Sequence, residues 1–468
     1  MRQIAIIGGG ISGLSAGHAI ERLTRAAGIA AQVTILEKEE RTGGKVWSLH
    51  EDGFLCEWGP NGFLDSKPMT LELCAHLGIS ERLLRSDDNA RKRFIYATGQ
   101  LHSLPENGPS FLKSQLISWP GKMRLAAELL IPPRRDGVDE TLAAFARRRL
   151  GPEALDKLIG PMVSGIFAGD PETMSLKSCF PRICELEQQY GGLLKAMILL
   201  AKKKRAEIKA GKAVASAAGP AGILTSFVGG IQDLTNATAA ALSGPVRINT
   251  TVTAIRRQSD GFELTLADGS SVNSEIVIFA APAHALAEMT DNFDAEMARI
   301  LREILYAPMN VICCGYEREK ISRNLDAFGY LIAKKEGRAT LGTLWDSSIF
   351  PNRAPQGKVL LRSMMGGATN PAAIDLSDSA VLSKVRADLQ QIMGISAEPD
   401  FVRIFRHPQA IPQYTVGHSR RIEGLRARAA LTPGLFLTGN AFFGVGLNDC
   451  VNASNQVADA VLAHLRGR

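Results

Sequence analysis

The strongest constraint on this chain is the place where its first apolar run stops. Ile4–Ile7 reads as a short buried strand, glycines follow at Gly8, Gly9, Gly10 and Gly13, and a helical pattern continues through Leu23. In a strand that turns into a helix through Gly8-x-Gly10-x-x-Gly13, each glycine has a physical reason. Gly8 permits the tight turn, Gly10 lets a pyrophosphate reach the backbone, and Gly13 lets helix and strand pack closely. Gly9, Ile11 and Ser12 complete the turn at a helix N-terminus that faces phosphate. A second buried strand, Gln32–Glu37, ends on an acid placed to accept ribose hydroxyls, with Lys38 beside it. The spacing to Glu37 is slightly longer than usual, so the helix or its following loop is extended. The glycines also argue against a signal peptide, since no small-residue cleavage site follows them. No other stretch stays apolar for about 18 residues, so no transmembrane helix is expected.

Three further stretches point to the same ligand. In Arg41-x-Gly43-Gly44-Lys45 the paired glycines allow close backbone approach and the bases suit phosphate; between FAD and NAD, this second motif favours FAD. Gly59-Pro60-Asn61-Gly62 is a rigid turn that would bring backbone to an isoalloxazine edge. Near the other end Gly439-Asn440 follows an apolar strand, Leu435–Thr438. Gly444-Val445-Gly446-Leu447-Asn448-Asp449 then precedes an amphipathic helix over about Asp449–Leu465, with Asn448 or Asp449 expected as N-cap. The dipole of such a helix would stabilise negative charge developing on a reduced flavin. Each stretch alone could be an ordinary turn or a capped helix; the constellation carries the assignment.

At 468 residues the chain is long enough for two or three subdomains. The middle reads as helical at Lys122–Leu130, Leu142–Leu150 and Gly192–Lys209. From Val246 the texture changes. Val246–Ile248, Phe262–Leu266, Val272–Ala280, Ala307–Tyr316, Ala327–Ala333, Ala339–Trp345 and Val359–Met365 read as strands, and Asp268-Gly269 signals a hairpin. The first and last segments both look like pieces of a nucleotide domain, so that domain is expected to be discontinuous, in a chain of mixed α/β and α+β class.

The formal charge is +7, and residues 111–219 hold 18 Lys plus Arg against 11 Asp plus Glu, so the whole excess lies in that segment. No zinc-finger, RNP or basic-zipper pattern accompanies it, so nucleic acid is not an expected partner. The seven cysteines are scattered without a CxxC pair, which fits buried thiols in a reducing compartment. The eight histidines are dispersed, no metal-ligand spacing occurs, and no GxSxG or other nucleophile pair is present.

Taken together these residues resemble the protoporphyrinogen oxidase branch of the amine-oxidase-like flavoproteins. The resemblance runs from IAIIGGGISGLSAG to LTGNAFFGVGLNDCVNASNQ. It is most specific in Gly59–Leu64, Ser164–Asp170, Leu341–Trp345, Ile411–His418 and Gly446–Cys450. It implies an FAD domain (residues 1–65, 220–280 and 405–468), a sheet-containing substrate domain (66–110 and 281–404) and a helical membrane-associating domain (111–219). It also implies six-electron oxidation of protoporphyrinogen IX in heme biosynthesis, with O2 as acceptor and H2O2 as product. By position, Arg93 looks like the propionate-binding arginine, Gly169, Leu331 and Trp345 line the substrate pocket, and the backbone of Val252 meets the adenine. Trp345 departs from an expected Phe. His407 stands where a Trp is frequent and is given no role. The expected setting is the cytoplasm or the inner face of the cell membrane, with a heme-pathway enzyme as a partner and a homodimer allowed.

Within the same resemblance the alternative substrate is coproporphyrinogen III. Amine and carotenoid oxidoreductases, and the non-catalytic Rab-escort and dissociation-inhibitor proteins, are more remote readings. Intact glycines, Glu37 and the Arg41–Lys45 turn argue for bound flavin against the last of these.

Overall fold

A computed structural model describes residues 1–209 and 222–467. The end of the basic segment, residues 210–219, lies outside the described residues.

The chain forms two compact units. The first comprises Met1–Ser86, Ala221–Leu305 and Arg420–Arg468, and the second Asp87–Pro220 and Tyr306–Ser419. The crossings at 305/306 and 419/420 differ from the expected 280/281 and 404/405. The reason is sheet pairing: Phe401–Pro412 pairs along its length with Tyr306–Glu317 and so stays with the second unit. Residues 111–209 also belong to that unit.

The first unit is built on a parallel sheet. Its strand order is Val246–Arg247, Ala31–Leu36, Arg2–Ile7, Ile276–Phe279, Leu435–Leu437, drawn from three separate passes of the chain. Strands with both faces covered read as continuous apolar runs, and Ile4, Ile6, Ile35 and Ile278 are all buried. Helices Ile11–Ala26 and Leu447–Arg466 pack on the sheet through Leu14, Ala16, Ile20, Val457 and Val461. The run read as one strand, Val272–Ala280, is two. Ser271–Ser274 joins an antiparallel three-stranded sheet with Gly261–Leu266 and Val252–Gln258, while Ile276–Phe279 joins the parallel sheet. At the break the Glu275 N–H donates to the Gln3 carbonyl at 2.9 Å and the Glu275 carboxylate pairs with Arg2 at 2.7 Å. The chain changes sheets there without losing its hydrogen bonds.

The second unit holds a seven-stranded sheet. The order is Phe401–Pro412, Tyr306–Glu317, Lys358–Gly366, Thr340–Leu344, Gly329–Ile332, Arg93–Ala97, Gln100–Ser103. One pair, Gly329–Ile332 with Arg93–Ala97, is parallel. Helix Asp378–Met393, which the sequence reading passed over, covers one face by setting Val381, Val385 and Leu389 against Tyr96, Tyr330, Ile332 and Leu361. Its signals are nevertheless present: Ser377 caps the N-terminus by accepting from Ala380 N, and Gly394 ends the helix in the left-handed region.

The segment read as helical is so. It includes Trp119–Ala126, Leu142–Arg149, Gly160–Phe167, Pro181–Tyr190 and Leu193–Lys209. Part of its interior is ionic. Arg149 is fully buried and donates to Glu128 at 2.7 Å and Glu187 at 3.0 Å. The Glu128 carboxylate also accepts from Leu193 N and Leu194 N, capping the last helix. Removing one partner of such a group costs about 3–5 kcal/mol, because a buried charge is left uncompensated.

Candidate functional site

The Gly8–Gly13 turn of the first unit behaves as three different glycines. At Gly8, φ is +109°, and an added Cβ would lie 2.9 Å from Ala281 N. At Gly13 it would lie 1.9 Å from the Gly8 carbonyl oxygen, so the turn and helix are closed against each other. At Gly10 it would meet nothing within 4 Å. The turn is therefore packed tightly behind and open in front, above the N-terminus of helix Ile11–Ala26. That is the shape an anionic ligand needs.

Glu37 is buried behind this opening. It accepts from Gly9 N at 2.6 Å and from Glu39 N at 2.9 Å, which fixes the carboxylate at the end of its strand. The second motif folds onto the first: Gly43 N donates to Gly9 O at 2.8 Å, and a Cβ at Gly44, with φ +57°, would meet Gly10 Cα at 3.4 Å. Arg41 lies over two indole rings, 4.5 Å from Trp47 and 4.9 Å from Trp58, and donates to the Thr42 and Gly44 carbonyls. Its guanidinium thus stiffens its own turn. Burial pushes the Lys45 amine down to about 8. Lys38 is exposed beside Glu39.

Gly59 and Gly62 are close-approach positions. A Cβ at Gly59 would sit 2.3 Å from Lys45 O, and one at Gly62 2.4 Å from Thr225 O. Between them lie Pro60 and a buried Asn61. Gly439 and Gly444 have φ +126° and +120°. Gly446 occupies the N-cap of helix Leu447–Arg466 without a side-chain cap, so neither Asn448 nor Asp449 is the N-cap. Asn448 is instead a tie: its amide donates to Leu64 O at 2.9 Å and accepts from Thr70 N at 3.2 Å, while Asp449 pairs with Lys67. The tie joins the Gly59–Gly62 turn's strand to the first turn of the last helix, across nearly the whole sequence. Ser454 Oγ donates to Ser12 O at 2.8 Å, and Leu447 shares a core cluster with Ile11, so two helix N-termini stand together beside the opening. Val445 follows Gly444 in the same loop. Val252 is buried and starts its strand opposite Leu266.

In the second unit the register decides which expected residues share a face. Arg93 pairs with Gly329, and Gly329 pairs with Leu344; Leu331 pairs with Ile95, two residues on from Arg93. Strand alternation therefore puts Arg93, Leu331 and Leu344 on one face. Arg93 is exposed and stacks over Phe328 at 4.9 Å. Leu331 and Leu344 are partly accessible. Trp345 lies on the opposite face, fully buried in the core under helix Asp378–Met393 and 6.0 Å from Phe94. In this structure Leu344, not Trp345, shares the face with Arg93, a choice set by strand register rather than by any signal in the sequence. Gly165 abuts Leu331, where a Cβ would meet Leu331 Cδ2 at 2.9 Å, and Gly169 is buried against Gln413 and Met174.

A family model for flavin containing amine oxidoreductases matches residues 11–462, and this chain belongs to that family. It is 30% identical over 474 residues to the coproporphyrinogen III oxidase of Bacillus subtilis (strain 168), across 99% of this chain and 98% of that protein. It is 33% identical over 470 residues to protoporphyrinogen oxidase 1, chloroplastic, of Arabidopsis thaliana, across 97% and 86%. A solved structure of a proposed protoporphyrinogen oxidase from Exiguobacterium sp. 255-15 superposes with a TM-score of 0.84 at 27% identity, over 99% of both chains.

The protein is an FAD-dependent oxidoreductase. The residues present fit that cofactor: the front of Gly10 is open and backed by two helix N-termini, Gly44 lies against it, and Glu37 is held at the end of the second strand. Among the described residues no helix is long and apolar enough to cross a membrane, and no group of three or more His, Cys, Asp or Glu is placed to hold a metal ion.

Proposed function

We propose that this chain oxidises protoporphyrinogen IX to protoporphyrin IX by six electrons, with three O2 reduced to three H2O2, in heme biosynthesis. The observation that carries the reading is the shared face of Arg93, Leu331 and Leu344: an apolar wall with one guanidinium at its edge. A flat tetrapyrrole with carboxylate side chains has the complementary chemistry. Gly8–Gly13, Glu37, Gly43, Gly44, Lys45, Gly59–Gly62, Val252, Gly439 and Val445–Leu447 hold the cofactor in this reading, with Arg41 acting through its turn and Lys38 at the solvent edge. When bound, FAD supplies the two-electron oxidation, used three times per porphyrinogen. The protein's part is to hold the propionate at Arg93, present the ring against leucine side chains and exclude water. No side chain of this chain is assigned as a general base.

A second reading, oxidation of coproporphyrinogen III to coproporphyrin III, is favoured by the end-to-end match to the Bacillus subtilis relative. The two substrates differ in carrying propionates or vinyls at two positions. The test is turnover of both porphyrinogens by the purified yellow protein under air, with product spectra and O2 consumption. Faster porphyrin formation from protoporphyrinogen at three O2 per porphyrin is expected. Preference for coproporphyrinogen would establish the second reading, and no porphyrin from either would overturn both.

We also propose peripheral association of the helical segment with an anionic membrane. Trp119, Met123, Leu130, Met197, Ile198 and Leu199 are exposed, and Lys202, Lys203 and Arg205 follow the last three on the same helix. Apolar side chains can enter the interface while bases meet headgroups.

A further inference from the structure

The stretch Ile411–His418 meets a residue expected to line the substrate pocket at Gly169, through Gln413. Gln413 follows the end of strand Phe401–Pro412 and is 5% exposed. Its Nε2 donates to Phe167 O at 2.8 Å and to Ile411 O at 3.0 Å, which fixes the amide's orientation. Among the described residues its buried Oε1 has no hydrogen-bond donor, and it faces Gly169, where an added Cβ would lie 2.9 Å away. Burying an unsatisfied amide oxygen costs stability that a methionine of similar volume would not. The two N–H bonds are what the amide adds.

Those bonds hold an elbow. Helix Gly160–Phe167 ends at Ala168, a non-glycine residue at φ +50°, in the left-handed region that L side chains rarely adopt. Ala168 O accepts from Ala368 N at 2.7 Å. The residues after Gln413 strap the same loop: Ser175 N donates to Tyr414 O at 2.8 Å, Val416 N to Thr173 O at 3.0 Å, and the Tyr414 ring lies 6.2 Å from Phe167. One turn before the elbow Gly165 abuts Leu331; one residue after it lies Gly169. Any shift of the Phe167 carbonyl therefore moves both contacts.

We infer that Gln413 is a positioning residue that sets the Phe167–Gly169 elbow against Leu331 and so tunes substrate affinity. This rests on the reading of the Arg93–Leu331–Leu344 face as the porphyrinogen site. The experiment compares wild type with Gln413→Met, Gly169→Ala and the double variant, measuring KM and kcat for protoporphyrinogen, FAD content and melting temperature. Gln413→Met is expected to keep stoichiometric FAD, raise KM about tenfold and leave kcat within about twofold. Gly169→Ala presses on the same amide from the other side and gives the same signature even where Gln413→Met does not fold. The double variant should be less impaired than the product of the two, because neighbours sharing one contact are not additive. A fall in melting temperature with unchanged KM, or strictly multiplicative effects, would overturn the inference and leave the proposed function standing. Absence of porphyrinogen turnover in wild type sinks both.

Discussion

The proposed cofactor cradle of the first unit is made mostly of main chain, whereas the proposed substrate face of the second would carry its chemistry on side chains. In the cradle the useful feature at Gly10 and Gly44 is the absence of a side chain, and Glu37 is held by backbone N–H groups. On the sheet face, the roles proposed for Arg93, Leu331 and Leu344 follow from strand alternation, which turns them the same way. A cradle of backbone fails when atoms are added; a face of side chains fails when atoms are removed.

The largest effects should come from adding atoms to the cradle, and two glycines three residues apart should fail differently. Gly13→Ala places a Cβ 1.9 Å from the Gly8 oxygen, so the protein itself should lose about 3 kcal/mol or more. Gly10→Val meets no protein atom near its Cβ, so the chain should fold with a melting temperature within about 4 °C of wild type and yet purify colourless. Flavin absorbance alongside thermal unfolding separates the two. Stoichiometric FAD in Gly10→Val would break the cradle assignment.

Removing atoms from the sheet should divide its two faces. Trp345→Ala empties a fully buried site and should cost about 3–5 kcal/mol of stability. Leu344→Ala should cost less stability but raise KM several-fold to about tenfold, since it strips apolar wall from the accessible face. A KM effect confined to Trp345 variants would restore that residue to the site and refute the face built from the register.

Arg93→Ala is expected to raise KM by about tenfold to a hundredfold with a smaller change in kcat, the size of one charge-assisted pair. Unchanged steady-state kinetics would make Arg93 a solvated base stacked on Phe328 and nothing more.

The smallest effect concerns the helical segment. Replacing Lys202, Lys203 and Arg205 by Gln should weaken sedimentation with anionic vesicles, each base contributing about 1 kcal/mol near the surface and less at high salt. Wild-type protein that ignores anionic vesicles at low salt would remove the membrane from the proposal without touching the oxidoreductase.

The sequence by itself determined the glycine turn, because its geometry is local. Gly8, Gly10 and Gly13 act within six residues, and a strand, a turn and a helix suffice to state what each does. The same locality made the middle helices legible. It failed where partners come from far along the chain. Asn448 looked like a helix cap from its neighbours alone, but its partners are Leu64 and Thr70. The run Val272–Ala280 looked continuous because apolar residues continue through the point where the chain passes from one sheet to another. Trp345 and Leu344 are adjacent in sequence, so only the pairing of Leu344 with Gly329, and of Gly329 with Arg93, could say which of them looks outward with the arginine. Side-chain direction in a strand reverses at every residue. A motif therefore locates such a site to within a residue or two, and the choice between the two faces is made by strand register, which is a property of the folded sheet.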